Sequence, residues 1–145
     1  MTSWDVALIW AILASAHCIG DYPMQSEFLS KYKSKNCFVL VVHCVIYTAF
    51  ICIGFSLALY LYNRSLTNEA LMVLFYYILI THVVIDTVKC LFRNYLYKKN
   101  EDGTEYVNVK DKKKREEADV WGYYIDQVAH FVVLILPYFL IFQFV

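Results

Sequence analysis

No Asp, Glu, Lys or Arg occurs between Cys37 and Tyr62. A soluble domain of this size rarely goes so long without charge, because its surface must meet water. The five cysteines, Cys18, Cys37, Cys44, Cys52 and Cys90, contain no CxxC pair and sit in or beside apolar runs. That arrangement argues against a disulfide framework and for small, soft packing residues. No nucleic-acid footprint is present, since the basic run at 110–115 is followed by Glu116, Glu117 and Asp119. The first apolar run has no positive flank before it, Asp5 being the only early charge. It therefore reads as a retained helix rather than a cleaved leader. No internal repeat is strong enough to define an array.

What the sequence has is apolar bulk. Of 145 residues, 60% are hydrophobic and 18% aromatic, where ordinary domains hold roughly half apolar residues. A bilayer core needs about 20 apolar residues in helical form. Four stretches meet that length, at about 4–22, 37–62, 70–92 and 120–145. Only helices satisfy their own backbone groups in lipid as isolated runs. The expected fold is all-α: one membrane domain, a bundle of four transmembrane helices.

The net charge is zero, yet twelve of the thirteen Lys and Arg fall within 31–35 and 89–115. By the positive-inside rule both basic loops are cytoplasmic and both termini lie outside. The first loop places Phe28, Leu29 and Tyr32 on one helical face, which suits a short interfacial helix. The long loop 93–119 carries Asp102-Gly103 between Tyr95-Leu96-Tyr97 and Tyr106-Val107. That pattern fits a small hairpin or an unstructured charged loop.

All four histidines lie inside the expected spans. Three have an aspartate four residues away: His17 with Asp21, His82 with Asp86, and His130 with Asp126. Such pairs share a helix face. His43 stands alone on the second span. Because the chain alternates direction, all seven groups fall in one layer near the basic side. An ionised aspartate deep in a membrane costs roughly 2.5–3.5 kcal/mol on insertion scales. Three of them must be neutral, paired, hydrated or cation-bound.

Imidazole and carboxylate together form the donor set of zinc, manganese and iron sites. The expected ligands are His17, Asp21, His43, His82, Asp86, Asp126 and His130, holding one or two divalent ions. Zinc is the first choice, with manganese or iron as alternatives. Asp21, Asp86 and Asp126 are the candidate catalytic groups. Gln25, Lys89 and Gln127 are candidate supporting or substrate-binding groups. The plainer readings are that His43 only packs, that the His–Asp pairs only join helices, and that Lys89 snorkels.

These residues resemble a family of bacterial and phage membrane proteins, the domain of unknown function 3307 family. Its pattern is H-x3-D-[FY]-x2-Q, a lone His, H-x3-D-x2-K and D-Q-x2-H. Here the pattern is His17, Asp21, Tyr22 and Gln25; His43; His82, Asp86 and Lys89; Asp126, Gln127 and His130. Pro23 departs from a continuous helix through the first motif. The family name implies a shared site but no reaction. A looser similarity, by analogy only, is to membrane-bound metal-dependent hydrolases.

Three functions are compatible with this reading. One is an intramembrane metal-dependent hydrolase acting on a lipid or lipid-linked substrate from the cytoplasmic side. Lys89, Lys31 or Arg93 would meet its phosphate. The second is a transporter or sensor of divalent cations or protons, which would require a homo-oligomer because four spans make a thin pathway. The third is a structural membrane protein with His–Asp helix pairs. Membrane lipids are the expected surroundings in all three.

Overall fold

In the computed structural model the described residues are 2–21, 32, 36–99, 105–107 and 112–144. They form four long helices: α1 (Ser3–Asp21), α2 (Cys37–Leu61), α3 (Asn68–Leu96) and α4 (Lys112–Phe144). Each contains a segment long and apolar enough to cross a membrane: Ser3–Asp21, Cys37–Leu61, Asn68–Phe92 and Val120–Phe142. The protein is an all-α membrane protein in its four spanning helices.

The helix ends follow from local chemistry. Asn36 caps α2, its side chain accepting from the Phe38 amide at 2.8 Å, as N-cap residues do. α2 stops at Tyr62-Asn63, where Asn63 has φ 52°. Asparagine tolerates this left-handed backbone better than branched residues do. The amides of Tyr62, Asn63 and Arg64 turn back onto the carbonyls of Leu59 and Tyr60. They thereby serve carbonyls that a helix C-terminus leaves open.

Two boundaries differ from the sequence expectation. α3 continues to Leu96, and α4 starts at Lys112, inside the stretch read as a loop. The residues Lys-Lys-Lys-Arg-Glu-Glu-Ala are strong helix formers, so α4 extends beyond its apolar part. Between these helices β1 (Tyr97–Lys99) pairs antiparallel with β2 (Glu105–Val107). The pairing is that of the hairpin alternative, whose Asp102-Gly103 turn lies outside the described residues. The interfacial helix expected around Phe28 and Leu29 lies outside the described residues, as does Gln25.

Helices adjacent in sequence pack on each other: α1 on α2, α2 on α3, and α3 on α4. The α1–α2 crossing is tight because it is built on small residues, the usual device where lipid supplies no hydrophobic drive. A Cβ on Gly54 would sit 2.8 Å from the Ala16 Cβ, and one on Gly20 would sit 3.3 Å from the Tyr47 Cα. α4 closes on α1 through long side chains, with Trp10 and Tyr138 ring centroids 5.1 Å apart.

Pro137 lies inside α4 and has no amide to give the carbonyl four residues earlier. That carbonyl, Val133 O, instead accepts from the Tyr77 hydroxyl of α3 at 3.2 Å. One helix repairs the defect in another. An apolar core that includes Ile9, Leu13, Ile51, Phe55, Leu74, Ile78, Leu134 and Ile141 fills the end of the bundle away from the basic segments. The buried polar side chains lie at the other end.

Candidate metal centre

Eight polar side chains are buried among the described residues: His17, Asp21, His43, Thr48, His82, Asp86, Asp126 and His130. Thr48 satisfies itself by donating to the Cys44 carbonyl at 2.7 Å. The remaining seven are the His and Asp side chains singled out by spacing. Helical register explains their convergence. Each i,i+4 pair faces inward from its own helix, and α2 inserts His43 among them.

The hydrogen bonds fix the histidine tautomers for neutral rings. His130 Nδ1 lies 2.7 Å from the Asp126 carbonyl oxygen. A carbonyl only accepts, so Nδ1 carries the proton and donates. His130 Nε2 is then bare and accepts from His82 Nδ1 at 2.8 Å. His82 Nε2 is left with its lone pair. It faces His43 Nε2 at 3.4 Å and Asp86 Oδ2 at 3.7 Å. His43 Nε2 in turn lies 3.4 Å from Asp21 Oδ1 and 3.3 Å from Asp86 Oδ2. Four potential ligand atoms from three helices thus cluster about His43 Nε2 and His82 Nε2.

Those separations carry chemical information. Ligands bound at 2.0–2.1 Å in a tetrahedron are about 3.3–3.4 Å apart. Of the six pairs, the three made by His43 Nε2 have this spacing, and the His82–Asp86 pair is a few tenths longer. Asp21, His43 and His82 form one group able to hold a metal ion. A second such group is Cys44, His82 and Asp86, and a third is Asp86, Asp126 and His130. His82 and Asp86 each belong to two of the three.

Asp126 is engaged differently. Its Oδ2 accepts from Lys89 Nζ at 2.5 Å and from Gln127 Nε2 at 3.2 Å. Its Oδ1 has no hydrogen-bond partner among the described residues. Lys89 thus balances Asp126 from α3, which leaves Asp21 and Asp86 as the carboxylates of that cluster.

His17 belongs to the hydrogen-bond network and not to any of the three donor groups. Its Nε2 meets Gln127 Oε1 at 3.0 Å and its Nδ1 meets Tyr47 Oη at 2.9 Å. The Gln127 amide already gives its nitrogen to Asp126, so its oxygen accepts from His17 Nε2. Tyr47 then donates to Nδ1, and both ring nitrogens are used. Of the supporting groups expected from sequence, Lys89 and Gln127 sit at Asp126.

Two members of the cluster escaped the sequence reading. Tyr47 stacks on His82 with centroids 3.8 Å apart and planes 13° apart. It lies four residues after His43, on the same helix face, and that spacing was its only signal. Cys44 joins a donor group although its apolar surroundings suggested a packing role alone.

A buried His–Asp cluster inside a four-helix membrane bundle defines a class of polytopic membrane protein with a potential metal centre. Within that class the chain belongs to the family described as protein of unknown function (DUF3307), whose family model matches residues 9–145. No curated protein and no solved structure matches the chain.

Proposed function

We propose that this protein is an intramembrane metal-dependent hydrolase holding one divalent ion, zinc in the first instance, between α1, α2 and α3. The observation that carries the reading is the close approach, 3.3–3.7 Å, that links Asp21 Oδ1, His43 Nε2, His82 Nε2 and Asp86 Oδ2, with Asp21, His43 and His82 near enough together to share an ion. Charge balance supports a single ion. Lys89 offsets Asp126. When ionised, Asp21 and Asp86 carry two negative charges, which one divalent cation neutralises. A second cation would have to displace Lys89.

His82 has the support that metal-bound histidines usually have, its other nitrogen held by a hydrogen bond. That bond goes to His130, itself anchored on the Asp126 carbonyl. Catalytic zinc sites keep one position open for water. Asp21, His43 and His82 supply three ligands, and Asp86 stands where it could complete the shell or take a proton from water. A bound metal would lower the pKa of such a water toward neutrality and polarise an acyl or phosphoryl oxygen.

The basic segments favour a cytoplasmic position for this end of the bundle, and its depth favours a lipid or lipid-linked substrate. The apolar packing of the opposite end argues against a transport path through one copy. Metal analysis of the purified protein tests the proposal, with about one equivalent of zinc or manganese expected. A protein that stays metal-free after gentle purification and ignores added zinc or manganese would refute it. Given metal, hydrolysis of phospholipid or lipid-linked phosphate substrates by wild type but not Asp86→Asn tests the reaction.

A further inference from the structure

Beside the donor cluster, α3 and α4 part to leave a cleft of about 550 Å³. That volume is in the range of small-ligand sites. Its walls are apolar, with Val88 and Phe92 from α3 and Trp121 and Ile125 from α4. Among the described residues the ionisable groups lining it are Lys89 and Asp126. The α4 wall is kept low by Gly122 and Ala129, so the space survives where two helices would otherwise close.

Three observations select an occupant. First, Val88, Phe92, Trp121 and Ile125 are exposed, and in a membrane such a surface meets acyl chains. Second, Lys89 is 36% exposed while its partner Asp126 is 2% exposed. An ammonium has three donors, and Asp126 Oδ2 takes one, which leaves donors for a phosphate at the basic end of the cleft. Third, Asp126 lines the cleft with its Oδ2 already held by Lys89. Asp126 also shares a donor group with Asp86, so one carboxylate separates cleft from metal centre. The cleft at the other end, about 320 Å³ beside Leu74, Tyr77 and Pro137, has among the described residues no ionisable group except the Tyr77 phenol. It offers nothing to read a headgroup.

We propose that the α3–α4 cleft is the binding site for a net-anionic phospholipid, with one acyl chain between the helices and the phosphate on Lys89. This rests on the hydrolase reading for its meaning as a substrate site, and names the substrate class of that centre. The lipid enters sideways from the bilayer and brings its phosphate to Lys89, beside Asp126.

Trp121 provides the test. In a Trp4→Phe, Trp10→Phe background it is the single tryptophan. The protein is placed in phosphatidylcholine nanodiscs containing either brominated phosphatidylglycerol or brominated phosphatidylcholine, and Trp121 quenching is followed with zinc-loaded and metal-stripped samples. A phosphate held by the ammonium donors that Asp126 leaves free predicts half-quenching at a lower mole fraction of the anionic lipid, by at most about fivefold because Asp126 offsets part of the lysine charge. Lys89→Gln should abolish this preference. Ala129→Phe, which fills the cleft and leaves Lys89 in place, should abolish it too.

Equal quenching by the two lipids in the wild type overturns the proposal. So does a preference that survives Ala129→Phe, which would come from the basic segments alone. Shielding of Trp121 from both lipids, together with a dimeric mass, would assign the cleft to a second copy and overturn it as well. Loss of preference in a protein that still binds zinc removes the lipid site alone. Preference in a protein that binds no metal removes the hydrolase reading alone.

Discussion

The Nε2 atoms of His43 and His82 face each other at 3.4 Å across the α2–α3 contact. That is longer than ordinary hydrogen bonds to nitrogen donors, which cluster near 2.9–3.0 Å. With His82 Nδ1 donating to His130, the His82 Nε2 has no proton to give. Two imidazole nitrogens and two carboxylates held this close in a buried setting suit a shared cation.

The first prediction takes those four groups as the cage of that cation. His82→Ala and Asp21→Asn should each remove bound metal, measured by elemental analysis against protein concentration. His130→Phe should act less severely. It takes away the group that orients His82 without removing a donor from the cage, and such losses weaken metal binding by about 10–100-fold. A titration with a chromophoric chelator separates the two classes. If His130→Phe proves as damaging as His82→Ala, His130 is itself a ligand and the cage is drawn wrongly.

The crossing of α1 and α2 yields a second prediction. Gly54→Ala puts a methyl 2.8 Å from the Ala16 methyl carbon, so a helix must move. Overpacking of this kind costs about 1–3 kcal/mol. The double variant Gly54→Ala, Ala16→Gly swaps the two methyls and should recover most of the loss. Thermal unfolding in detergent reads both. Equal melting of the single and double variants would show that the crossing is not limited by this contact.

Much of this was legible in the sequence, for a definite reason. Apolar runs of bilayer length form helices in lipid, and ionisable groups at i,i+4 share a helix face. His82, Asp86, Asp126 and His130 were therefore locatable, and so was the layer they share. What could not be read is how seven groups divide the work. Spacing gives each His–Asp pair the same standing. The difference between His17 and His82 arises only from what other helices bring, with Tyr47 and Gln127 claiming His17 and His130 orienting His82. Cys44 follows His43 directly, and sequence could not tell that both approach His82. The start of α4 was missed because charge was read as loop, although its residue types favour helix.

Tyr77 and Pro137 give a third prediction. Tyr77→Phe removes the donor to the Val133 carbonyl and should destabilise the protein by about 0.6 kcal/mol, the mean for such bonds inside membranes. Pro137→Ala restores an amide four residues on from Val133, so the carbonyl regains a helical partner. In that background Tyr77→Phe should cost almost nothing. Unfolding free energies for the four members of the cycle test this. Additive effects would mean that the hydroxyl does not serve the carbonyl freed by the proline.

The last prediction concerns His17, which spacing alone ranks with the other histidines. Both its nitrogens are used, Nδ1 by Tyr47 and Nε2 by Gln127, and it belongs to none of the three donor groups. His17→Gln should therefore retain about one metal equivalent, whereas His43→Gln, which removes a donor atom from the cage, should lose it. Tyr47→Phe adds a control. It keeps the ring stacked on His82 and removes only the hydroxyl bonded to His17, so metal should stay, while Tyr47→Ala should loosen His82 and weaken binding. The comparison is made on folded, monodisperse protein, so that loss of metal is not confused with loss of the bundle. Metal loss in His17→Gln equal to that in His43→Gln would move His17 into the cage and undo the division between ligands and supports drawn from the hydrogen bonds.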